Sequence, residues 1–512
     1  MSRPLVLLAV ALFALLGLAP LAVMAARVTP EDLAALFTAN AATLLGRTAL
    51  YGLGVAACAL LVGVPFGFLT ARTDMPLASV LRPLGVVPLF LPPMMLAMVW
   101  TAVAEMRGAP AAYFVSTLST FPLVAVFAAR AFERIDGRLE DAARLAGGTK
   151  AVLRATLPLA LPPALCGACL AFVFTINDFS VPDYVSWLGL PKFSVYADSI
   201  YATWRIDASP GRAVAMALPL VAMTLLMLLP ALALRRRGAL ASIVPDFRAP
   251  APIALGRWRW PAFVFCAGLL SLGAFVPLGR LLWEAGGGPK GWSTNELAAA
   301  FSMALERSRG DVRNSVVSAL VTASACVALG LVLGHALERA RRGRSLEPLL
   351  VLPLAVPAVL FGIGIIVLWN RDATATLYDS NALVSVLLTG RFVVFAALIT
   401  AGAVASLDPS LEDAARVAGA GPLSRLARIV APALRSSLAG GFVLVFVLAL
   451  RELDATLLVP AANHTAMFRI FNQIHFGRDA FVAALALLLV FLIVLPGLLW
   501  SLFARKRLEL LP

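Results

Sequence analysis

The sequence is poor in charged residues for its length. Of its 512 residues only 14% are Asp, Glu, Lys or Arg, whereas 61% are hydrophobic. Soluble domains carry about 25% charged residues, so this composition excludes an ordinary water-soluble protein. The chain also lacks any Gly-Lys dipeptide. This absence excludes ATP hydrolysis by a phosphate-binding loop, because that loop requires Gly-Lys followed by Ser or Thr.

Histidine and cysteine are equally scarce, and neither type forms a pattern typical of a metal site. The three histidines are His335, His464 and His475, and they are dispersed along the chain without an H-E-x-x-H motif. Among the five cysteines, Cys166 and Cys169 form a C-x-x-C pair, but a zinc site needs further ligands and none is nearby. We therefore predict no metal site and no catalytic residue.

The sequence contains many long segments without a charged residue. Ten segments run for at least 20 residues without an ionisable Asp, Glu, Lys or Arg: 4–26, 48–71, 83–104, 108–129, 155–177, 213–234, 260–279, 314–337, 348–370 and 480–504. A membrane span needs about 20 apolar residues. Two shorter segments, 392–407 and 436–450, are bounded by Arg391 and Arg435, whose side chains we expect to extend to the interface. The prediction is an all-α membrane protein with about 12 transmembrane helices.

The N-terminal segment admits two interpretations. Met1-Ser2-Arg3 precedes a long apolar run that ends near Val23-Met24-Ala25, and this ending approximates the cleavage site of a signal peptide. The run is longer than a usual signal-peptide core, and its loss would leave an odd number of spans. We expect an uncleaved first helix.

The net charge of +14 invites a nucleic-acid interpretation, which the distribution of basic residues does not favour. If the N-terminus is cytoplasmic, the Lys and Arg residues concentrate in the predicted cytoplasmic loops. This is the positive-inside pattern of membrane proteins. We predict a multi-pass protein of the bacterial plasma membrane with both termini in the cytoplasm, a lipid bilayer as its surroundings, and no nucleic-acid partner.

One polar segment occurs twice in this apolar chain. "LEDAARLAGG" at 139–148 recurs as "LEDAARVAGA" at 411–420, and a pair of prolines spaced by four residues also recurs in each half. The duplication predicts a first six-span repeat at 1–234, a cytoplasmic linker at 235–259 and a second six-span repeat at 260–512. An even number of spans in each repeat implies parallel repeats with the same orientation.

The composition of the repeated segment predicts a short helix followed by a turn. Acidic residues near its start favour the positive end of a helix, and alanine is the best helix former. Glycine suits the left-handed position that ends many helices, and it occurs at Gly147 and Gly419. A second helix then leads directly into the fifth or the eleventh span.

The repeated segment resembles the Glu-Ala-Ala loop of the membrane subunits of importer-type ATP-binding cassette (ABC) transporters. The matching residues are Asp141, Ala142, Ala143 and Gly147 in the first copy and Asp413, Ala414, Ala415 and Gly419 in the second. Asp replaces the family's Glu, although Glu140 and Glu412 stand immediately before. In the first copy Leu157-Pro158 arrives two residues early, which shortens that loop.

The resemblance implies the partners of the chain. The loops of this family dock on a cytoplasmic ABC ATPase, so two copies of that ATPase are expected, with ATP bound by them and no cofactor in this chain. A periplasmic or extracellular solute-binding protein is expected to deliver the cargo. The fused two-repeat form and the segment at 440–460 resemble the ferric-iron permease group, which makes ferric iron the first expectation for the cargo. Thiamine, polyamines and phosphonates are the alternatives.

Candidate pathway residues lie where the fifth and eleventh spans end on the outer side. They are Asn177, Asp178, Arg451 and Glu452, and their position at span boundaries favours a role in an outer gate over direct ligation of cargo.

Two other classes of protein are rivals. An ion-coupled secondary transporter would share the twelve spans and the duplication, but such carriers place ionisable groups within spans, and ten of these spans have none. A membrane enzyme would need a cluster of catalytic residues at one depth, which the sequence does not show.

Overall fold

The computed structural model describes residues 3–187, 192–207, 209–240, 247–289, 291–340, 343–458, 460, 464–474, 477 and 479–503. His475 and residues 241–246 of the predicted linker lie outside these ranges. Within them the secondary structure is almost entirely helical. A short antiparallel hairpin of β1 (Gly287–Gly288) and β2 (Gly291–Trp292) and a single bridge between Thr73 and Ile253 are the β-structure of the described ranges.

The principal helices follow one another along the chain with short connections. In chain order they are α1 (Arg3–Ala25), α2 (Ala39–Arg72), α3 (Ala78–Phe90), α4 (Pro93–Val103), α5 (Gly108–Glu133), α6 (Gly137–Asn177), α7 (Ser180–Trp187), α8 (Tyr196–Asp207), α9 (Pro210–Leu240), α10 (Gly256–Ala285), α11 (Thr294–Arg339), α12 (Glu347–Ala355), α13 (Ala358–Trp369), α14 (Ala382–Ala405), α15 (Pro409–Val417), α16 (Pro422–Ala433), α17 (Arg435–Arg451), α18 (Ala466–Ile474) and α19 (Ala480–Phe503). Short helical turns cover Pro30–Ala34, Ala35–Phe37, Gly343–Leu346, Asp372–Thr374 and Ala375–Tyr378.

The number of spans agrees with the sequence. In the described part of the chain, nine helices are long and apolar enough to cross a membrane. Three further pairs satisfy the same test together but are bent: α3 with α4 by 95°, α12 with α13 by 100°, and α16 with α17 by 81°. Each bent pair counted as one span gives twelve, so the prediction of an all-α membrane protein with about 12 helices is confirmed.

The repeated prolines cause two of these bends. Pro92 and Pro357 are the N-cap residues of α4 and α13. Proline disfavours the helical conformation at the residue before it. Leu91 and Val356 are accordingly extended, with ψ of 131° and 134°. The sequence places a helix break at the same point of both repeats for this steric reason.

One boundary predicted from the sequence is wrong. Arg391 does not end a span; it lies inside α14 and is only 7% exposed. Its guanidinium Nη1 donates to Val356 O at 3.2 Å. The protein interior supplies this acceptor, so the side chain does not need to extend to a membrane surface.

The chain folds into two compact units that do not follow the order of the repeats. One unit comprises Phe37–Ser199 and Pro219–Leu281, and the other comprises Met1–Leu36, Ile200–Leu218 and Leu282–Pro512. Most of α10, the first span of the second repeat, therefore belongs to the unit that holds the spans of the first repeat. Conversely, α1, the first span of the first repeat, belongs to the unit that holds most spans of the second repeat. The compact units do not test the repeat boundaries at 1–234, 235–259 and 260–512, which stay a prediction.

Glycines allow the exchanged spans to pack closely within each unit. A Cβ added at Gly273 of α10 would lie 2.8 Å from Pro88 Cγ. A Cβ added at Gly17 of α1 would lie 3.0 Å from Gly390 O. Glycine at these contacts lets backbones approach more closely than other residues allow.

The two long helices α2 and α11 carry equivalent Gly-x-x-x-Gly motifs. A Cβ at Gly67, the second glycine of the motif in α2, would lie 2.5 Å from Ala125 O in α5. A Cβ at Gly334, at the same place in α11, would clash with Ala397 O in α14. Close helix pairing of this small-residue kind is typical of membrane bundles. It fixes the end of each long helix beside the repeated segment described next.

Candidate functional site

The first copy of the repeated segment forms the beginning of α6. Asp136 is the N-cap, and its side chain accepts a hydrogen bond from Arg138 N at 2.9 Å. The helix is interrupted at Gly147 and Gly148, and it then continues as the span Lys150–Asn177. The sequence therefore predicted the helix, the turn and the following span correctly.

The second copy is α15, and its ends are defined by hydrogen bonds. The Asp408 carboxylate accepts from Ser410 N at 2.9 Å, and this bond lowers the pKa of Asp408. At the other end Ala420 N donates to Ala415 O at 2.9 Å and Gly419 N donates to Arg416 O at 3.1 Å. This is the bond pattern of a Schellman cap, which closes a helix through a left-handed residue.

The predicted left-handed glycine is confirmed in one copy and wrong in the other. Gly419 has φ of +82°, as a Schellman cap requires. In the first copy Gly147 is extended, with φ of −174°, and Gly148 carries the positive φ of +66°. In the first copy the left-handed conformation therefore lies one residue later, at the second glycine of the Gly147-Gly148 pair.

We expect Gly419→Val to destabilise the end of α15 by about 1–2 kcal/mol, because a residue with a side chain is strained in the left-handed region. Its Cβ would meet no atom within 4 Å, so the effect comes from the backbone alone. The matched control is Gly421→Val, where φ is −65° and the space is equally open. Hydrogen exchange of the peptide covering 411–420 should accelerate in the first variant only. Equal exchange in both variants would contradict the conformational role.

The first glutamate of the repeated segment faces the protein. Glu140 forms an ion pair with Arg72, the last residue of α2, at 2.6 Å, with side-chain exposures of 3% and 4%. Arg72 Nη1 also donates to Pro250 O at 3.1 Å. The carboxylate thus fixes the beginning of α6 to the end of a membrane-spanning helix.

The second glutamate is fixed in the same way to the end of α11. Glu412 Oε2 lies 2.8 Å from His335 Nε2, and Glu412 Oε1 lies 3.5 Å from Arg339 Nε. Arg339 Nη2 additionally donates to Leu407 O at 2.6 Å, immediately before α15. Both copies of the repeated segment therefore attach their glutamate to a basic group at the end of a long span.

The basic partners Arg72 and Arg339 were not predicted from the sequence, although a signal for them exists. The segment "GFLTAR" ends at Arg72 and "GHALER" ends at Arg339. Both segments share a glycine followed five residues later by arginine. The offset between them is five residues shorter than the offset between the repeated segments. A search at one fixed offset therefore does not find them.

The outward faces of the repeated segment carry matching apolar side chains. Leu145 is 92% exposed and Val417 is 87% exposed, and these residues occupy the same position in the two copies. Leu139 and Leu411, also equivalent, are 42% and 48% exposed. The two copies of the repeated segment therefore expose apolar groups at equivalent places.

The remaining predicted residues of this site lie around those apolar groups. Ala142 and Ala414 are exposed, Ala143 and Ala415 are half-buried, and Gly147 and Gly419 are exposed. Asp141 forms an exposed ion pair with Arg248 at 3.1 Å, and Asp413 forms one with Arg416 at 3.1 Å. The exposed leucine and valine are therefore accompanied by small side chains in both copies.

Part of the predicted linker is bound to the first copy. Ile253 N donates to Arg72 O at 2.7 Å, and Asp74 N donates to Ile253 O at 3.2 Å. Gly137 N, at the start of α6, donates to Arg248 O at 2.9 Å. The linker thus adds backbone hydrogen bonds to the ion pairs that hold the beginning of α6.

The candidate pathway residues Asn177 and Asp178 lie at the other end of α6. Asn177 Nδ2 donates to Thr224 Oγ1 at 3.1 Å, and its Oδ1 is buried without a hydrogen-bond partner. The Asp178 carboxylate accepts from Ser180 N at 2.8 Å and so begins α7. Burial raises the pKa of the nearby Asp198 carboxyl, and the charges of Asp183 and Asp178 raise it further.

Arg451 and Glu452 occupy the corresponding end of α17. Arg451 is its last residue and is half-buried. Glu452 leaves the helix in an extended conformation, and its Oε1 accepts from Ala455 N at 3.0 Å. Asp178 and Glu452 therefore share a turn-forming role, each just after the end of its helix. In the described ranges no group of three or more His, Cys, Asp or Glu side chains is arranged to hold a metal ion.

Comparison with known proteins identifies the architecture. The family model for the inner membrane component of binding-protein-dependent transport systems matches residues 63–239 and again residues 326–509. The putrescine transport system permease protein PotI of Escherichia coli K12 is 28% identical over 230 residues, covering 42% of this chain and 79% of that protein. The molybdenum transport system permease protein ModB of Mycobacterium tuberculosis is 33% identical over 193 residues, covering 34% of this chain and 72% of that protein. The chain therefore belongs to the family of binding-protein-dependent transport system inner membrane components, and it carries the family domain twice.

Proposed function

We propose that this chain is the permease of an ABC importer and that two copies of a cytoplasmic ATPase dock on its two repeated segments. The two coupling segments comprise Glu140, Asp141, Ala142, Ala143 and Gly147 in one copy and Glu412, Asp413, Ala414, Ala415 and Gly419 in the other. The two glutamates act from inside, by holding each segment to its span. ATP is bound by the ATPases, and a solute-binding protein delivers the cargo to the opposite side of a bacterial inner membrane.

The observation that carries this proposal is the equivalence of the exposed Leu145 and Val417. A lone exposed apolar residue needs no explanation, but two at matching positions of a duplicated helix indicate two matching partners. Each lies on a segment fixed to the end of a long span. Movement of a bound partner is therefore transmitted to α2 or α11.

The span that follows the first segment extends this connection. Lys150–Asn177 contains 28 helical residues, which correspond to about 42 Å at 1.5 Å per residue. A displacement at Gly148 thus reaches Asn177 and Asp178 at the far end of the helix. This connection supports gating roles for Asn177 and Asp178, and we assign the same role to Arg451 and Glu452 at the corresponding end of α17. In the proposed orientation the repeated segments and both termini lie in the cytoplasm.

The test replaces both exposed groups with charge. The double variant Leu145→Asp with Val417→Asp is expected to reduce recovery of the ATPase with the tagged permease at least tenfold, because two apolar anchors become charged. The variant retains every contact of Glu140 and Glu412. Phe37→Asp is the control, because Phe37 is 89% exposed and lies just before α2, at the opposite end from Arg72. Equal recovery of the ATPase with the double variant and the wild type would overturn the docking role.

The cargo is a small polar solute, and its identity is a separate question. Ferric iron remains a prediction from resemblance. PotI and ModB are named for putrescine and molybdenum transport, so the relatives are named for chemically different cargoes.

A further inference from the structure

Arg391 is a buried cation in the middle of a membrane span. It is the one ionisable residue of α14, whose 24 residues otherwise carry apolar, small or hydroxyl side chains. Its side chain is 93% removed from solvent, since its exposure is 7%. An ionisable residue inside a span is costly to keep there, so its presence calls for a function.

The charge of Arg391 has no acidic partner among the residues that the structure describes. One hydrogen bond joins its Nη1 to Val356 O, and the guanidinium lies 6.0 Å from the centre of the Phe392 ring. Its Nε is buried without an acceptor. A guanidinium offers five N–H donors, so most of its donors are available to a further acceptor.

The hydrogen bond to Val356 places the guanidinium beside the beginning of α13. Val356 is followed by Pro357, the N-cap of this 12-residue helix. The first N–H groups of a helix have no acceptor within it and attract anions. Those of α13 belong to Ala358, Val359 and Leu360, which are 3%, 3% and 4% exposed. Two positive features, one a side chain and one a helix end, therefore meet in the protein interior.

Arg391 is not needed to form the bend. The first repeat has an equivalent bend of 95° between α3 and α4, and the residue equivalent to Arg391 in α5 is Ser119. Ser119 is neutral, and its hydroxyl bonds to Ser116 O within the same helix. The bend thus forms without a cation in one repeat, so a purely structural role does not explain the cation in the other.

We infer that Arg391 and the N-terminus of α13 form an oxyanion-binding site inside the second repeat, and that the cargo is a small oxyanion of the molybdate or phosphate type. This inference rests on the proposed transport function and specifies its cargo. The guanidinium binds two oxygens of the anion, and the N–H groups of α13 bind a third. Movement of α13 relative to α14 at Pro357 opens and closes the site during transport.

The test measures oxyanion binding to the full-length permease purified together with its ATPase. Equilibrium dialysis with labelled molybdate and, separately, labelled phosphate compares the wild type with Arg391→Gln. We expect the variant to lose at least tenfold in affinity for whichever ion the wild type binds. Arg371→Gln is the control and should bind as the wild type does, because Arg371 is exposed and lies just beyond the other end of α13.

Three outcomes decide the inference. Unchanged binding by Arg391→Gln overturns it, and so does a wild type that binds labelled putrescine or ferric citrate but neither oxyanion. If Arg391→Gln does not assemble, Arg391→Lys keeps the charge but loses the paired donors, and it should bind the oxyanion more weakly than the wild type. Recovery of the ATPase with the wild-type chain is scored independently. Failure of the oxyanion site is therefore distinguishable from failure of the proposed importer.

Discussion

Replacing Glu140 by alanine is expected to destabilise the permease by about 3–5 kcal/mol, because it leaves the Arg72 guanidinium buried without its counter-charge. The exposures of 3% and 4% place this ion pair among the fully buried ones. Arg72 retains only its bond to Pro250 O, which is insufficient to compensate a buried charge. The measurement is the midpoint of thermal unfolding in detergent.

The second repeat provides the comparison for this prediction. Glu412→Ala is expected to cost less, about 1–3 kcal/mol, because its side chain is 15% exposed and its partner Arg339 keeps its hydrogen bonds to Val404 O and Leu407 O. A double variant, Glu140→Leu with Arg72→Met, should recover most of the stability of the wild type, since apolar replacements of a buried pair are often neutral. A large loss for Glu412→Ala with little loss for Glu140→Ala would show that burial does not determine the cost.

The double variant also distinguishes two roles of Glu140: fixing the beginning of α6 to α2, and contacting the ATPase directly. If Glu140 acts only by fixing the beginning of α6, the double variant should keep the ATPase bound after stability is restored. The substitutions Glu140→Leu and Arg72→Met do not alter Leu145 or Asp141, which stay exposed to a partner. Loss of the ATPase from this stable variant would place Glu140 itself in the contact with the partner.

The twelve spans and the two repeated helices were predictable because they depend on local sequence. Uncharged length determines whether a segment spans the membrane, and the Ala-rich, acid-first composition of 139–148 determines a helix with its start and its end. The duplicated Pro92 and Pro357 served in the sequence only as a sign of duplication, whereas in the structure they accompany bends of 95° and 100°. Proline disfavours the helical conformation at the residue before it, but Pro65 and Pro122 lie inside unbroken helices, so a proline in the sequence does not by itself predict a break.

The partners of Glu140 and Glu412 were not predictable in the same way. Arg72 and Arg339 are distant in sequence, and their contacts depend on how α2 and α11 pack beside α6 and α15. Arg391 was misplaced for a related reason. A count of uncharged residues treats every arginine as a boundary, whereas a carbonyl such as Val356 O accepts a hydrogen bond from an arginine inside the protein.

The exchange of first spans was equally invisible to the sequence. The repeats suggested that α1 packs with the helices that follow it, but Gly17 contacts Gly390 and Gly273 contacts Pro88. Glycine at these positions carries no information about which helix approaches. Only the tertiary structure shows which helix packs against each glycine.

Substitution of Gly334 by leucine is expected to be among the most damaging single changes in the chain. A side chain at this position would clash with the Ala397 backbone, and Thr400 Cβ would lie 2.7 Å from the added Cβ. Backbone atoms cannot move aside as a flexible side chain does, so α11 and α14 must separate. Overpacking a close contact costs about 1–3 kcal/mol or more. Separation would also move His335 and Arg339 away from Glu412.

The matched control lies in the same helix. A Cβ at Gly310 of α11 meets no atom within 4 Å, so Gly310→Ala is expected to stabilise the helix by about 0.5–1 kcal/mol through its higher helix propensity. The first repeat offers the same design with Gly67→Leu and Gly46→Ala in α2, where Gly46 is again open. Thermal unfolding in detergent should rank the four variants in two pairs, with Gly67 and Gly334 low and Gly46 and Gly310 at or above the wild type. If Gly334→Leu unfolds no earlier than Gly310→Ala, the helices do not need the close contact, and the position of Arg339 beside Glu412 must be fixed by its bonds to Val404 O and Leu407 O instead.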